Sequence, residues 1–163
     1  MELAVIAVQW LHVFLGIFWF GSTLYLNFVV IPAILKLPPE QGVAASKSIS
    51  ERSPRVITPV ATLVILFGLL RGIVLGPVHS LSFLLGTAYG ITFLVSFLAA
   101  TATFLWGLLV LSREATKLHV VPTNVKEQAA YDATLGRVRI IALLELVGFF
   151  VVFTCMILMR FGM

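Results

Sequence analysis

A histidine stands inside the first apolar stretch of this sequence, in the context Gln9-Trp10-Leu11-His12. Ionisable side chains are costly at membrane depth, and those that occur there usually have a function. Neutral imidazole is a common metal ligand and holds the iron in several classes of haem protein. Gln9 or a backbone carbonyl could fix the tautomer of the ring. The sequence therefore predicts that His12 is an axial ligand of haem b.

The second apolar stretch carries a stripe of glycines at four-residue spacing, with Arg71 beside it: Gly68, Gly72 and Gly76. Such a stripe is a standard device for close helix packing in membranes. It would also leave a flat surface for a planar macrocycle, helped by Gly16 one turn from His12, and we favour this interpretation. Arg71 could extend to the membrane interface, or it could pair with the carboxylates of haem propionates.

A second axial ligand is harder to identify. His79 lies in the short segment Pro77 to Ser80 and could fold down toward the iron; otherwise it is an exposed loop histidine. The third and fourth apolar stretches carry neither histidine nor lysine near the level of His12. One firm ligand would leave an iron position for a gas or for redox chemistry, whereas two would indicate an electron carrier.

A second polar cluster is predicted in the other half of the protein, where Glu145 should share a level with Asn27. A carboxylate is disfavoured in hydrocarbon, so this group should be protonated or hydrogen-bonded. One interpretation is a proton relay or a quinone contact. The other is a hydrogen bond to Asn27, or an ion pair with Arg137 or Arg139, that joins two helices.

The elements that must position these residues are membrane helices. Of the 163 residues, 60% are apolar and 11% are charged, and the mean hydropathy is +1.09. Four apolar segments, about 3–31, 57–76, 82–112 and 140–160, each reach the ~20 residues needed to span a bilayer. Backbone amides must be paired in lipid, so the segments should be helices, and their short connections favour neighbours packed antiparallel. We predict a single all-α transmembrane domain, residues 1–163, forming a four-helix antiparallel bundle.

Charge sets the expected orientation. Nine of the eleven basic residues lie between the first and second or between the third and fourth segments: Lys36, Lys47, Arg52, Arg55, Arg113, Lys117, Lys126, Arg137 and Arg139. By the positive-inside rule, residues 33–56 and 113–139 form cytoplasmic loops and both termini lie outside. The second loop could contain a short amphipathic helix over Val125 to Leu135. This distribution suits a membrane surface, and we expect no nucleic-acid partner.

The remaining motifs are weaker. Cys155 is the single cysteine, so an intrachain disulfide is excluded. The spacing of Met156, Met159 and Met163 could bind Cu(I) but is more typical of packing. Gly86 and Gly90 form a further pair that could serve the bundle or a homodimer face.

Two stretches carry a family resemblance. One runs from Trp10-Leu11-His12-Val13 through Trp19-Phe20-Gly21 to Pro32, and the other runs from Leu144-Glu145 to Met159-Arg160. They resemble small bacterial four-helix membrane proteins similar to the copper-resistance D family and the HemJ-type protoporphyrinogen oxidases. The resemblance implies a four-helix core, a first-helix histidine at His12, haem b and a bacterial cytoplasmic membrane. HemJ-type enzymes carry a functional lysine on the third helix, where this chain has no charged residue between Ser82 and Ser112.

The sequence therefore favours a b-type haem protein used for electron transfer, haem-dependent oxidation or gas binding. A quinone or another redox partner would fit this class. Two other classes stay open: a transporter or channel for copper or a small solute, and a structural partner subunit without a cofactor. Haem and metal content would separate the three.

Overall fold

The computed structural model describes residues 2–162. Four long helices dominate it: α1 (Glu2–Ile34), α2 (Pro39–Val74), α4 (Ala88–Thr116) and α5 (Val125–Arg160). A short helix, α3 (Leu81–Gly86), lies between α2 and α4. Each long helix is long and apolar enough to cross a membrane, and no strand forms within residues 2–162. The predicted all-α class with four candidate membrane helices is confirmed.

Helices α1, α2 and α5 are longer than predicted, whereas the predicted segment 82–112 is divided into α3 and α4 at Thr87. Most of the residues that were expected to form the two cytoplasmic loops are helical, because α2 begins at Pro39 and α5 begins at Val125. The prediction divided the chain at its charged residues, and charge alone does not end a helix. Pro54 and Pro59 both lie inside α2, where each removes one backbone hydrogen bond without ending the helix.

Side chains cap the starts of the later helices. The Asn124 side chain accepts a hydrogen bond from the backbone N–H of Glu127 at 2.9 Å, and a carboxylate oxygen of Glu127 accepts from the backbone N–H of Thr123 at 2.7 Å. Ser80 and Thr87 cap α3 and α4 in the same way. Such caps satisfy N–H groups that have no partner within the helix.

Three of the long helices widen locally to π-helical geometry. The widened segments are Leu26–Val30 in α1, Leu70–Val74 in α2 and Gly107–Leu111 in α4. A π-helical turn inserts an extra residue, which rotates the following side chains, and such turns are frequent at functional sites. Arg71 and Asn27 both lie in segments of this kind.

The core lies at the centre of the bundle. α1 packs mainly on α2, and α4 packs mainly on α5. Trp19 is 3% exposed, and its ring meets the ring of Phe149 edge-on with centroids 4.8 Å apart. Large apolar side chains on the outside of the bundle are exposed, including Trp10 at 62%. A surface of this kind would aggregate in water and is expected in contact with lipid.

Gly90 has a role within the monomer. A β-carbon at this position would lie 2.6 Å from Cα of Leu84, so the glycine allows α3 to fold closely against the start of α4. Nothing lies within 4 Å of the corresponding position at Gly86. Of this glycine pair, Gly90 therefore serves the close packing of α3 on α4 within the monomer.

Candidate functional site

One cavity in the structure lies between the four long helices and contains His12. We call it the His12 cavity; its volume is about 550 Å³, within the range of roughly 300–1,000 Å³ typical of cofactor and ligand sites. Helix α1 contributes Gln9, His12 and Gly16, and α2 contributes Gly68, Arg71 and Gly72. Six of the seven residues predicted to bind the cofactor therefore line one cavity.

The ring of His12 has a defined orientation. Its Nδ1 lies 2.9 Å from the backbone carbonyl oxygen of Val64. A carbonyl can only accept, so Nδ1 carries the proton and donates, and Nε2 keeps a free lone pair. Nε2 makes no hydrogen bond with another side chain or backbone group of residues 2–162. Metal-binding histidines commonly donate their second ring N–H to a carbonyl or carboxylate in this way.

The glycine stripe is used differently from the prediction. A β-carbon on Gly68 would lie 3.0 Å from Cε1 of His12, and one on Gly72 would clash with the ring of Phe93. Side chains of the protein therefore cover the stripe at these two positions. The open surface is at Gly16, where a β-carbon would have nothing within 4 Å. The stripe makes room for His12 and Phe93, and Gly16 leaves space in the cavity itself.

Two arginines are among the residues that line the His12 cavity: Arg71, which is half-buried, and Arg160, which is exposed. Arg71 donates from Nη1 to the carbonyl oxygen of Leu75 at 3.3 Å, while its buried Nε has no hydrogen-bond partner among the described residues. A buried donor without a partner is costly. The side chain is therefore suited to a ligand that brings an acceptor to it.

Arg160 was not predicted from the sequence as a site residue, although the distribution of basic residues gave an indication. Arg71 and Arg160 are the two basic residues left after the nine assigned to the cytoplasmic side. No Asp or Glu of the described chain is among the residues that line the His12 cavity. The cavity therefore carries two positive side chains and no negative one, which favours an anionic ligand.

Two methionines also reach this cavity. Met156 and Met159, interpreted from the sequence mainly as packing residues, both line the His12 cavity, as does Tyr89. His79 does not line it and is exposed in the α2–α3 connection. In the part of the chain that the structure describes, no three His, Cys, Asp or Glu side chains come together as a metal-binding group. His12 is thus the lone histidine at this cavity.

A second cavity of about 270 Å³ contains Glu145 and Asn27, and we call it the Glu145 cavity. Glu145 is 7% exposed; its Oε1 lies 2.9 Å from the position of a β-carbon on Gly107. Asn27 donates to the carbonyl oxygen of Thr23 at 2.9 Å, within its own helix.

Glu145 has none of the partners considered from the sequence. Its carboxyl makes no hydrogen bond or ion pair within residues 2–162, whether to Asn27, Arg137 or Arg139. Arg137 instead donates to Thr134 at 3.1 Å and lies 3.8 Å from a carboxylate oxygen of Glu114. The carboxyl of Glu145 is therefore available to a ligand in its cavity.

Trp19 lines both cavities. Phe149, whose ring Trp19 contacts, belongs to the wall of the His12 cavity, and Phe104 belongs to the wall of the Glu145 cavity. The rings of Trp19 and Phe104 also meet edge-on, with centroids 6.2 Å apart. Trp19 is thus an aromatic residue that the two sites share.

No protein-family model matches this chain, and no curated protein or solved structure matches it significantly.

Proposed function

We propose that this protein is a b-type haem protein of a bacterial cytoplasmic membrane, with His12 as an axial ligand of the iron. The observation that carries the proposal is the imidazole of His12, which donates from Nδ1 to Val64 and lines a cavity shared with two arginines and, among residues 2–162, with no Asp or Glu. This combination suits a ligand that holds both a metal and negative groups. Haem b has both, since its iron accepts a nitrogen ligand and its two propionates are carboxylates.

The charges of the site support two propionate partners. Arg71 has an unpartnered Nε, and Arg160 lines the same cavity. Hydrogen bonds from guanidinium to carboxylate are charge-assisted and can be bidentate. Gln9 adds a polar side chain to the same wall. Two cations facing two carboxylates would leave none of these charges unpaired in the cavity, and an unpaired buried charge is strongly destabilising.

Bound haem would supply electron transfer, haem-dependent oxidation or gas binding at the iron. The residues of the chain hold and orient it: the carbonyl of Val64 fixes the His12 ring, and Phe93 and Phe149 keep the surroundings apolar. A low-polarity wall and a hydrogen-bonded ligand are two means by which proteins adjust haem potential. If the iron has a second protein ligand, Met156 and Met159 are placed better than His79.

The proposed orientation places both termini outside, with neighbouring helices antiparallel. Two observations support it. The nine basic residues lie in or beside the connections after α1 and after α4, so by the positive-inside rule these two connections would be cytoplasmic. His12 contacts Val64 and Gly68 of α2, whereas Trp19, which is later in α1, belongs to a cluster with Ala61, which is earlier in α2. This order of contacts is the one expected for antiparallel neighbours.

A copper-binding transporter is the second candidate, because the thioethers of Met156 and Met159 line the same cavity as His12. Soft sulfur ligands with an imidazole would suit Cu(I). The two guanidinium groups argue against a cation at this site and make it the weaker candidate.

An optical spectrum of the detergent-purified protein tests the proposal. We expect a Soret band, b-type features after dithionite reduction, and a matching pyridine haemochrome. A shift with carbon monoxide would identify an open or displaceable iron position. Colourless protein that does not take up added haem, and that contains copper by metal analysis, would replace this proposal with the transporter.

A further inference from the structure

The Glu145 cavity is built for a ligand of its own. Glu145 is one of the few ionisable groups buried in the bundle, and its carboxyl has no partner among the described residues. No lysine, arginine or histidine side chain from residues 2–162 lines this cavity. A buried, unpaired carboxyl is costly, and membrane proteins keep such groups mainly where they are used.

The hydrogen-bonding groups of this cavity include both acceptors and donors. Four lining hydroxyls donate their protons to backbone carbonyls of their own helices and keep only lone pairs for a ligand: Thr23 to Trp19, Ser50 to Lys47, Ser112 to Leu108 and Thr116 to Arg113. The lining hydroxyls of Ser46, Ser53, Thr58 and Tyr131 make no hydrogen bond among the described residues and can donate or accept. Asn27 uses one N–H on the carbonyl of Thr23, so its Oδ1 is free to accept. Hydroxyl groups on a ligand, which both donate and accept, match this set.

The remaining wall is apolar and partly aromatic. Trp19, Phe104 and Tyr131 contribute rings, and Ile57, Leu108 and Val138 contribute aliphatic surface. A volume of about 270 Å³ accommodates one substituted six-membered ring and is about half that of the His12 cavity. Aromatic side chains favour another ring by edge or offset contacts. The cavity therefore suits a small aromatic ligand with hydroxyl donors.

We propose that the Glu145 cavity binds the head group of a lipid-soluble hydroquinone, with the carboxyl of Glu145 and the Oδ1 of Asn27 accepting hydrogen bonds from its hydroxyls. The oxidised quinone offers only acceptors and should bind more weakly. The role of this ligand as an electron source for the haem rests on the proposed function. Its binding to the Glu145 cavity does not depend on that function.

A hydrogen-bonded pair connects this cavity with the α4–α5 connection. Ser50 lines the cavity, and its Oγ lies 2.7 Å from Nε2 of His119. Because Ser50 donates to the carbonyl of Lys47 at 3.0 Å, it accepts from His119. His119 is half-buried. It places an imidazole beside the cavity, next to the α4–α5 connection.

The test is isothermal titration calorimetry of the detergent-solubilised full chain with 2,3-dimethylhydroquinone and with the corresponding quinone, under anaerobic conditions. We expect saturable binding of the hydroquinone and binding of the quinone that is roughly tenfold weaker or more. Glu145→Gln should weaken hydroquinone binding by a similar factor. Glu51→Gln, an exposed carboxyl elsewhere on the chain, should leave it unchanged.

Further variants keep the result interpretable. If Glu145→Gln does not fold, Gly107→Ala provides a second route, because its β-carbon would displace the carboxyl oxygen from 2.9 Å. His12→Ala should retain hydroquinone binding even where haem is lost, so the two proposals can fail separately. Equal affinity for both redox forms, no saturable binding, or preference for benzylammonium over the hydroquinone would each overturn the proposal.

Discussion

The imidazole of His12 lies against the backbone of Gly68, with Cε1 3.0 Å from the position that a β-carbon on residue 68 would occupy. This contact allows Nδ1 to reach the carbonyl of Val64 one turn away. The glycine and the histidine therefore act as a pair: one leaves the space, and the other uses it.

Replacing Gly68 by alanine should disturb His12 without removing it. The added methyl group must push the ring away by a few tenths of an ångström or more, because contacts of 3.0 Å are too short for carbon. We expect weaker haem retention, measured as Soret absorbance per protein. Gly21→Ala is the control, since a β-carbon there meets nothing within 4 Å. An equal loss of haem in Gly68→Ala and Gly21→Ala would argue against a specific role of the contact between Gly68 and His12.

Replacing His12 by alanine should abolish haem retention, because the iron loses its proposed protein ligand. His79→Ala and His119→Ala should retain haem, since neither histidine lines the His12 cavity. The measurement is the pyridine haemochrome of purified protein. An unchanged Soret band in His12→Ala would exclude the assigned ligand, and loss in His79→Ala would restore the loop histidine as a ligand.

The two arginines should contribute to haem affinity separately. Each charge-assisted hydrogen bond is worth about 1.5–3 kcal/mol, so Arg71→Gln or Arg160→Gln should weaken haem binding by roughly tenfold to a hundredfold. The double variant should bind more weakly than either single one. Titration of the apoprotein with haem measures the effect. Arg139→Gln, which changes an exposed residue remote from this cavity, should have none.

A contact between α4 and α5 gives a prediction about stability. A β-carbon on Gly148 would overlap Oγ1 of Thr103 and lie 3.2 Å from its Cβ. Gly148→Ala should therefore destabilise the bundle by about 1–3 kcal/mol, the usual cost of overpacking. Thermal unfolding in detergent would show a lower Tm. Adding Thr103→Ala should recover part of the loss, because it removes the overlapping hydroxyl.

The orientation can be tested with single cysteines in a background in which Cys155 is replaced by serine. Leu3→Cys and Phe161→Cys should react with a membrane-impermeant maleimide in intact cells, whereas Val121→Cys should react only after lysis. The positive-inside rule gives this expectation. The reverse pattern would place the termini in the cytoplasm.

The parts of the fold that depend on lipid were predictable from the sequence. Long apolar stretches must become helices, and the four long helices follow from that requirement. The ends of the helices were not predictable in the same way, because a polar segment such as residues 39–56 can continue a helix beyond the apolar part. The π-helical turn that contains Arg71 leaves no simple pattern in the sequence. It changes which residues face the centre.

The site was partly predictable for a related reason. The sequence predicted that His12 and Gly68 belong to one haem site, and the two residues are in contact. Depth does not report direction around the helix axis, so the covering of Gly72 by Phe93 could not be foreseen. The lining roles of Met156 and Arg160 were missed because methionine and terminal arginine are common in membrane helices for other reasons.

The buried ring of Trp19 has a consequence for the energetics of the membrane. Polar groups at the two ends of a bundle could together form a path for protons, and a continuous path would dissipate the electrochemical gradient. Trp19 is 3% exposed and lines both cavities, so its indole ring occupies space that a chain of water molecules between them would need. Ligands in the two cavities would then share one aromatic neighbour, while the ring helps to keep the membrane insulating to ions.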